Sequence, residues 1–231
     1  MKEDTEQQKL LEKSNLKRID HTYISREITH VLHLDRGFFF TVKELFLGPG
    51  KTVRNFLFND RDSLVKPFLF LIICAIIFSL TNHFLHLEIV IYNIDGDAYK
   101  GKVNPTEIGE WTNHYIGYAQ LIMAIFISLW IKLFFRKFPY NIYEILVLLS
   151  FVLGEALLIL ILVFIPYKIF HFEAILKIGI GFYFFYIIWA IGQFFGEKKM
   201  TNYLKSTLSY ACGVFTFMAS LKLIAYLLTF I

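Results

Sequence analysis

Residues 142–165 read IYEILVLLSFVLGEALLILILVFI, an apolar run that carries only two acidic side chains and ends against Pro166. A helix crossing the roughly 30 Å hydrocarbon layer of a bilayer needs about 20 mostly apolar residues, and this run supplies them. Four other segments share the property: about Pro67 to Phe84 (PFLFLIICAIIFSLTNHF), about Tyr115 to Phe135, about Phe172 to Phe195, and about Leu204 to Ile231. The expected fold is an all-α membrane protein, a bundle of about five transmembrane helices over residues 67–231.

The composition agrees. Of 231 residues, 56% are hydrophobic and 26 are phenylalanine, against about 45–50% apolar in ordinary soluble domains. Residues 1–66 hold 22 of the 42 Lys, Arg, Asp and Glu side chains, so charge is confined rather than spread over a surface. The net charge of +4 comes from bases mixed with acids. With no Arg-rich face, stacking module or finger spacing, nucleic acid is not expected as a partner. Cys74 and Cys212 each sit inside an apolar run, which leaves neither a disulfide framework nor a zinc ribbon. No cleavable signal peptide is expected, because the first 20 residues are polar. No catalytic or cofactor motif occurs, and no cofactor is expected.

Lys and Arg set the orientation. Residues 1–66 hold twelve; Arg136 and Lys137 follow the second span, with Lys132 placed to snorkel toward them; Lys198, Lys199 and Lys205 follow the fourth. The other side has Lys100 and Lys102 in the loop 87–114, and Lys168 in a short turn. The amino terminus is therefore expected in the cytoplasm and the carboxyl terminus on the opposite side of the membrane.

Before the first span, residues 1–22 read as a polar tail and residues 23–66 as amphipathic pieces. Ile24, Ile28, Val31 and Leu32 recur at helical spacing. Phe38, Phe39, Phe40, Val42, Leu45 and Phe46 follow, Gly48-Pro49-Gly50 is expected to break the helix, and Lys51 to Phe58 forms a third piece. Two readings stay open: helices in the cytoplasmic interface, with Arg36, Lys43, Lys51, Arg54 and Arg61 meeting anionic headgroups, or a protein cap packed under the bundle. A protein partner through residues 24–66 is the further expectation.

The run Asp35-Arg36-Gly37-Phe38-Phe39-Phe40-Thr41-Val42-Lys43-Glu44-Leu45, with Pro49-Gly50-Lys51-Thr52-Val53-Arg54, Arg61 and Lys66-Pro67, resembles the bacterial domain-of-unknown-function family 3667. The resemblance is clear over about residues 28–70. It implies an amphipathic lead-in, a Pro-Gly turn and several spans in a bacterial inner membrane, and it implies no activity. This chain departs from the family pattern in two ways. It lacks the Cys-rich zinc-ribbon segment with which many relatives begin, and it has Asn59-Asp60 where a Gly-Lys type pair is expected. The topology is also similar to Yip1-type five-span proteins, an analogy that does not fix function.

Ionisable groups inside spans cost roughly 2.5–3.5 kcal/mol at mid-bilayer on insertion scales. Glu155 and Lys222 lie at about the same depth, roughly 21 and 25 Å at 1.5 Å per residue, which predicts an intramembrane ion pair. Such a pair is either a device holding two helices in register or a proton or ion relay in a small transporter or channel. Glu144, three turns before Glu155, is expected to meet headgroups or Lys132. Gln120 and Gln193 read as helix–helix hydrogen-bonding residues. Gly179, Gly181 and the stripe Ser209, Gly213, Thr216 and Ser220 read as close-packing surfaces.

On the outer side, His83, His86, His114 and His171 are candidate metal ligands, His83 and His86 being three apart as one helix face requires. The alternative is that these rings, like Trp111, favour the interface. Residues 89–99 suggest a hairpin turning at Asp95-Gly96, with Asp95 and Asp97 in turn chemistry rather than calcium binding. The function expected is non-enzymatic, organising the membrane or recruiting a partner through the cytoplasmic face.

Overall fold

The computed structural model describes residues 37–85, 112 and 115–228, and the described residues are helical without a strand. Seven helices follow in order: α1 Gly37–Leu47, α2 Pro49–Phe58, α3 Pro67–Leu85, α4 Ile116–Phe134, α5 Ile142–Phe170, α6 Glu173–Gly196 and α7 Met200–Leu228. Helices α3, α5, α6 and α7 (as Met200–Ile224) are long and apolar enough to cross a membrane, and Tyr118–Phe134 of α4 is a shorter apolar helix. The chain is a multi-pass helical membrane protein.

The bundle is built around α5. Leu148, Leu149, Phe151, Val152, Leu153, Ala156 and Leu157 are all fully buried, because a helix apolar on every side can be surrounded on every side. Helices α3, α4 and α6 pack directly on α5, and α7 lies in a second row against α4 and α6. The outward faces are apolar too. Phe68, Ile72, Ile76 and Leu80 stand exposed in line along α3, as do Tyr118, Ile122, Ile125, Leu129 and Leu133 along α4. Apolar belts of this extent suit contact with lipid. Helix α7 turns its small and polar residues inward. Asn202, Ser206, Ser209, Gly213 and Phe217 are buried at three- and four-residue steps, the packing that small residues permit within membranes.

Local signals place the helix ends. Asn141 and Glu144 close a reciprocal capping box at the start of α5, Asn141 Oδ1 accepting from Glu144 N at 2.9 Å and Glu144 Oε2 from Asn141 N at 2.8 Å. The role expected for Glu144, with headgroups or Lys132, thus falls to the helix start, and Lys132 Nζ instead donates to the Tyr140 carbonyl at 2.6 Å. Pro166 does not end α5. The helix runs on to Phe170 and stops at His171, whose backbone is left-handed. Proline removes one backbone donor, a loss that membrane helices tolerate.

Candidate functional site

Helices α1 and α2 form a cap at the end of the bundle that carries Arg136, Lys137, Lys198 and Lys199. The expected break at Gly48-Pro49-Gly50 is narrower than its composition suggests. Only Gly48 stands outside a helix, and Pro49 opens α2 in the first turn, where its missing N–H costs nothing. Gly50 then touches the backbone of α6. A Cβ built on it would lie 2.3 Å from Phe194 N and 2.6 Å from the Gln193 carbonyl carbon, so only glycine fits there. The Gly50 N–H donates to Gln193 Oε1 at 2.7 Å.

One turn later Arg54 Nη1 donates to the Gln193 carbonyl and, at 2.8 Å, to that of Phe194. From the other side Asn202 Nδ2 donates to the carbonyls of Phe195 and Gly196, both at 3.0 Å. The last four carbonyls of a helix have no partner within it, and here Arg54 and Asn202 between them satisfy all four. The guanidinium also lies at the negative end of the α6 dipole. Gly196, with φ of 127°, ends the helix in a conformation few other residues adopt.

The cap is fixed at further points. The Tyr186 hydroxyl of α6 donates to the Leu45 carbonyl at 3.2 Å. Thr41 Oγ1, buried, accepts from Val65 N at 3.1 Å. An aromatic chain, Phe38–Phe70–Phe151–Phe56, runs from α1 through α3 and α5 to α2 with ring centroids 5.3–5.7 Å apart. Beneath α2, Phe135 stacks on Phe195 at 3.9 Å and Tyr140 meets Phe194 at 4.6 Å. Burial pushes the Tyr140 phenol above its usual range, with Arg54 opposing the shift and Glu144 adding to it.

Of the five basic residues expected at headgroups, Arg54 is therefore a correction. A half-buried guanidinium bound to two helix-end carbonyls is turned toward the protein, because a helix supplies no donor of its own to its last carbonyls. Lys43, Lys51 and Arg61 are exposed, Arg61 also donating to the Leu57 carbonyl at 3.3 Å. Arg36 and the helical pattern over Ile24–Leu32 lie outside the described residues.

The expected Glu155–Lys222 ion pair does not form. Glu155 is 2% exposed at the centre of the bundle, whereas Lys222 is exposed on α7. Equal depth was the basis of the expectation, but depth leaves the direction around the bundle open, and α7 packs on α4 and α6 rather than on α5. Glu155 instead lies near Cys74 of α3 and Tyr186 of α6. Its Oε2, and both amide atoms of buried Gln120, have no hydrogen-bond partner among the described residues. Gln193 does bond between helices. Gly213 packs closely, its added Cβ falling 2.6 Å from Ile127 Cα, and Gly179 meets Val163, but Gly181 faces open space.

No group of three metal-ligating side chains occurs among the described residues. His83 and His171 are exposed, and His86, His114, Trp111 and the hairpin proposed for residues 89–99, with Asp95 and Asp97, lie outside the described residues. No curated protein and no solved structure matches the chain. Residues 35–79, which comprise α1, α2 and the first two-thirds of α3, match the family model described as a protein of unknown function, DUF3667.

Proposed function

We propose that the protein is a non-enzymatic component of a bacterial inner membrane whose cap, on the cytoplasmic side, is a rigid interfacial platform that orders lipid headgroups and offers a docking face to a partner. The observation that supports this reading is the two-sidedness of the cap. Its inner face is held to α6 by Gly50, Arg54 and Tyr186. Its outer face leaves Phe39, Phe46, Leu47 and Phe58 at 78, 46, 65 and 61% exposure, beside exposed Lys43 and Lys51. Apolar side chains bordered by lysines suit the headgroup boundary of an anionic leaflet.

The test uses the full chain in nanodiscs, with Cys74 and Cys212 replaced by alanine and a fluorophore on a cysteine at position 39 or 47. Lipids brominated near the headgroup are expected to quench both probes, and to leave a probe at position 62 bright. Equal fluorescence with and without bromine at positions 39 and 47 overturns the reading. A second reading, a small transporter, draws on Glu155 and Gln120, buried polar groups of the kind that mark ion pathways. Ion flux in proteoliposomes that Glu155→Gln abolishes would establish it in place of the first.

A further inference from the structure

The elbow between α1 and α2 forms a half-open cavity of about 460 Å³ lined by Phe40, Glu44, Lys51, Thr52, Asn55 and Ser63, with Leu47 and Leu64 at its apolar edge. That volume lies within the range of about 300–1,000 Å³ usual for small-ligand sites. Its walls are set by backbone geometry. Gly48 N and Thr52 Oγ1 both donate to the Glu44 carbonyl at 3.0 Å, and Thr52 N donates to the Gly48 carbonyl at 2.9 Å. The cavity is therefore held open by the turn itself.

Its charges are of opposite sign. The Glu44 carboxylate is half-buried, the Lys51 ammonium exposed, and neither side chain has a hydrogen bond or ion pair among the described residues. An anion alone would answer Lys51 and leave Glu44 facing like charge; a cation alone would do the reverse. A zwitterion that carries both charges a few atoms apart meets the two together.

We propose that this cavity binds the phosphoethanolamine headgroup of a membrane phospholipid. The primary ammonium donates to the Glu44 carboxylate, and the phosphate oxygens accept from Lys51 Nζ, with Ser63 and Asn55 as neutral polar wall. Phe40 and Leu47, 45 and 65% exposed, meet the glycerol and the upper acyl chain. A choline headgroup carries the same charges but has no N–H to give the carboxylate, which removes the charge-assisted hydrogen bond. A glycerol headgroup has no cation for Glu44. This inference rests on the interfacial reading of the cap and names the lipid that reading leaves open.

The experiment is a lipid competition on the delipidated full chain in detergent, read by native mass spectrometry with lipids of identical acyl chains. The wild type is expected to retain phosphatidylethanolamine over phosphatidylcholine by about tenfold, the scale of one charge-assisted hydrogen bond. Glu44→Gln should bring that ratio close to one without weakening phosphatidylglycerol. Lys51→Gln should weaken phosphatidylethanolamine, phosphatidylcholine and phosphatidylglycerol alike, since each presents a phosphate. Lys198→Gln, an exposed lysine outside the lining, should leave that ratio unchanged. A wild-type ratio near one, or a ratio that Glu44→Gln leaves intact, overturns the proposal. So does soluble phosphoethanolamine that competes as well as the lipid, since the ligand would then be a free solute. The brominated-lipid quenching reads the platform separately: quenching without headgroup preference sinks only this inference, and absent quenching sinks the reading beneath it.

Discussion

At the scale of single residues, the buried polar groups divide into those that join elements and those, Glu155 and Gln120 among the described residues, that do not. Arg54 belongs to the first kind. Replacing it with methionine strands two helix-end carbonyls and is expected to lower stability in detergent by about 1.5–3 kcal/mol, the range for hydrogen bonds to a charged group. Arg54→Lys should recover only part of this, a lysine lacking the planar fork. Gly50→Ala should cost about 1–3 kcal/mol as overpacking. Truncating Gln193 should not rescue it, because the clash is with the α6 backbone. Thermal unfolding of the purified chain reads all four variants. Glu155 belongs to the second kind. In a double-mutant cycle, Glu155→Gln and Lys222→Met should add within about 0.5 kcal/mol, as distant sites do; recovery of stability in the double variant would mean the two charges meet after all.

At the scale of elements, the same residue type acts differently according to which face it occupies. Gly213 and Gly181 are both glycines in membrane helices, and their spacing to neighbours in sequence does not tell them apart. Gly213 brings α7 against Ile127 of α4, and Gly181 faces open space. Gly213→Leu is expected to detach α7 and lower the unfolding temperature sharply. Gly181→Ala should leave it unchanged or raise stability by up to about 1 kcal/mol, the helix-propensity gain over glycine. A comparable loss from both would show that the outer face of α6 is covered by something else in the membrane. The break before α2 teaches a related lesson. Gly48-Pro49-Gly50 reads as three breakers, yet proline suits a first helical turn and Gly50 is required by a neighbour rather than by a turn.

At the scale of the whole molecule, the basic residues cluster at the end that bears the cap. Single cysteines at Lys66, Lys137 and Lys198, all exposed, are expected to react with a membrane-impermeant maleimide only from the cytoplasmic side. One at Lys168 should react only from the other. Labelling of Lys66 and Lys198 from opposite sides would break the topology and with it the position assigned to the cap. The cap also packs under the bundle by one face and leaves the other exposed, so the brominated-lipid quenching tests only the exposed face. The inner face is protein-bound through Phe38 and Leu45 of α1 and Val53 and Phe56 of α2, all buried, while Phe39 and Leu47 of α1 are exposed.

Sequence by itself determined the class of the fold and the apolar segments that form its long helices, because these follow from the length and apolarity of single segments and need no neighbour. The capping box of Asn141 and Glu144 was equally local, a signal at fixed spacing that passes unnoticed when Glu144 is read only against headgroups or Lys132. Which helix stands beside which was decided by tertiary structure alone. Depth along a helix is linear in sequence, but direction around a bundle depends on all the other helices. That is why Glu155 and Lys222 share a level without meeting. It is also why Arg54, basic and amphipathically placed like its neighbours, lies not among headgroups but on the carbonyls of a helix nearly 140 residues away.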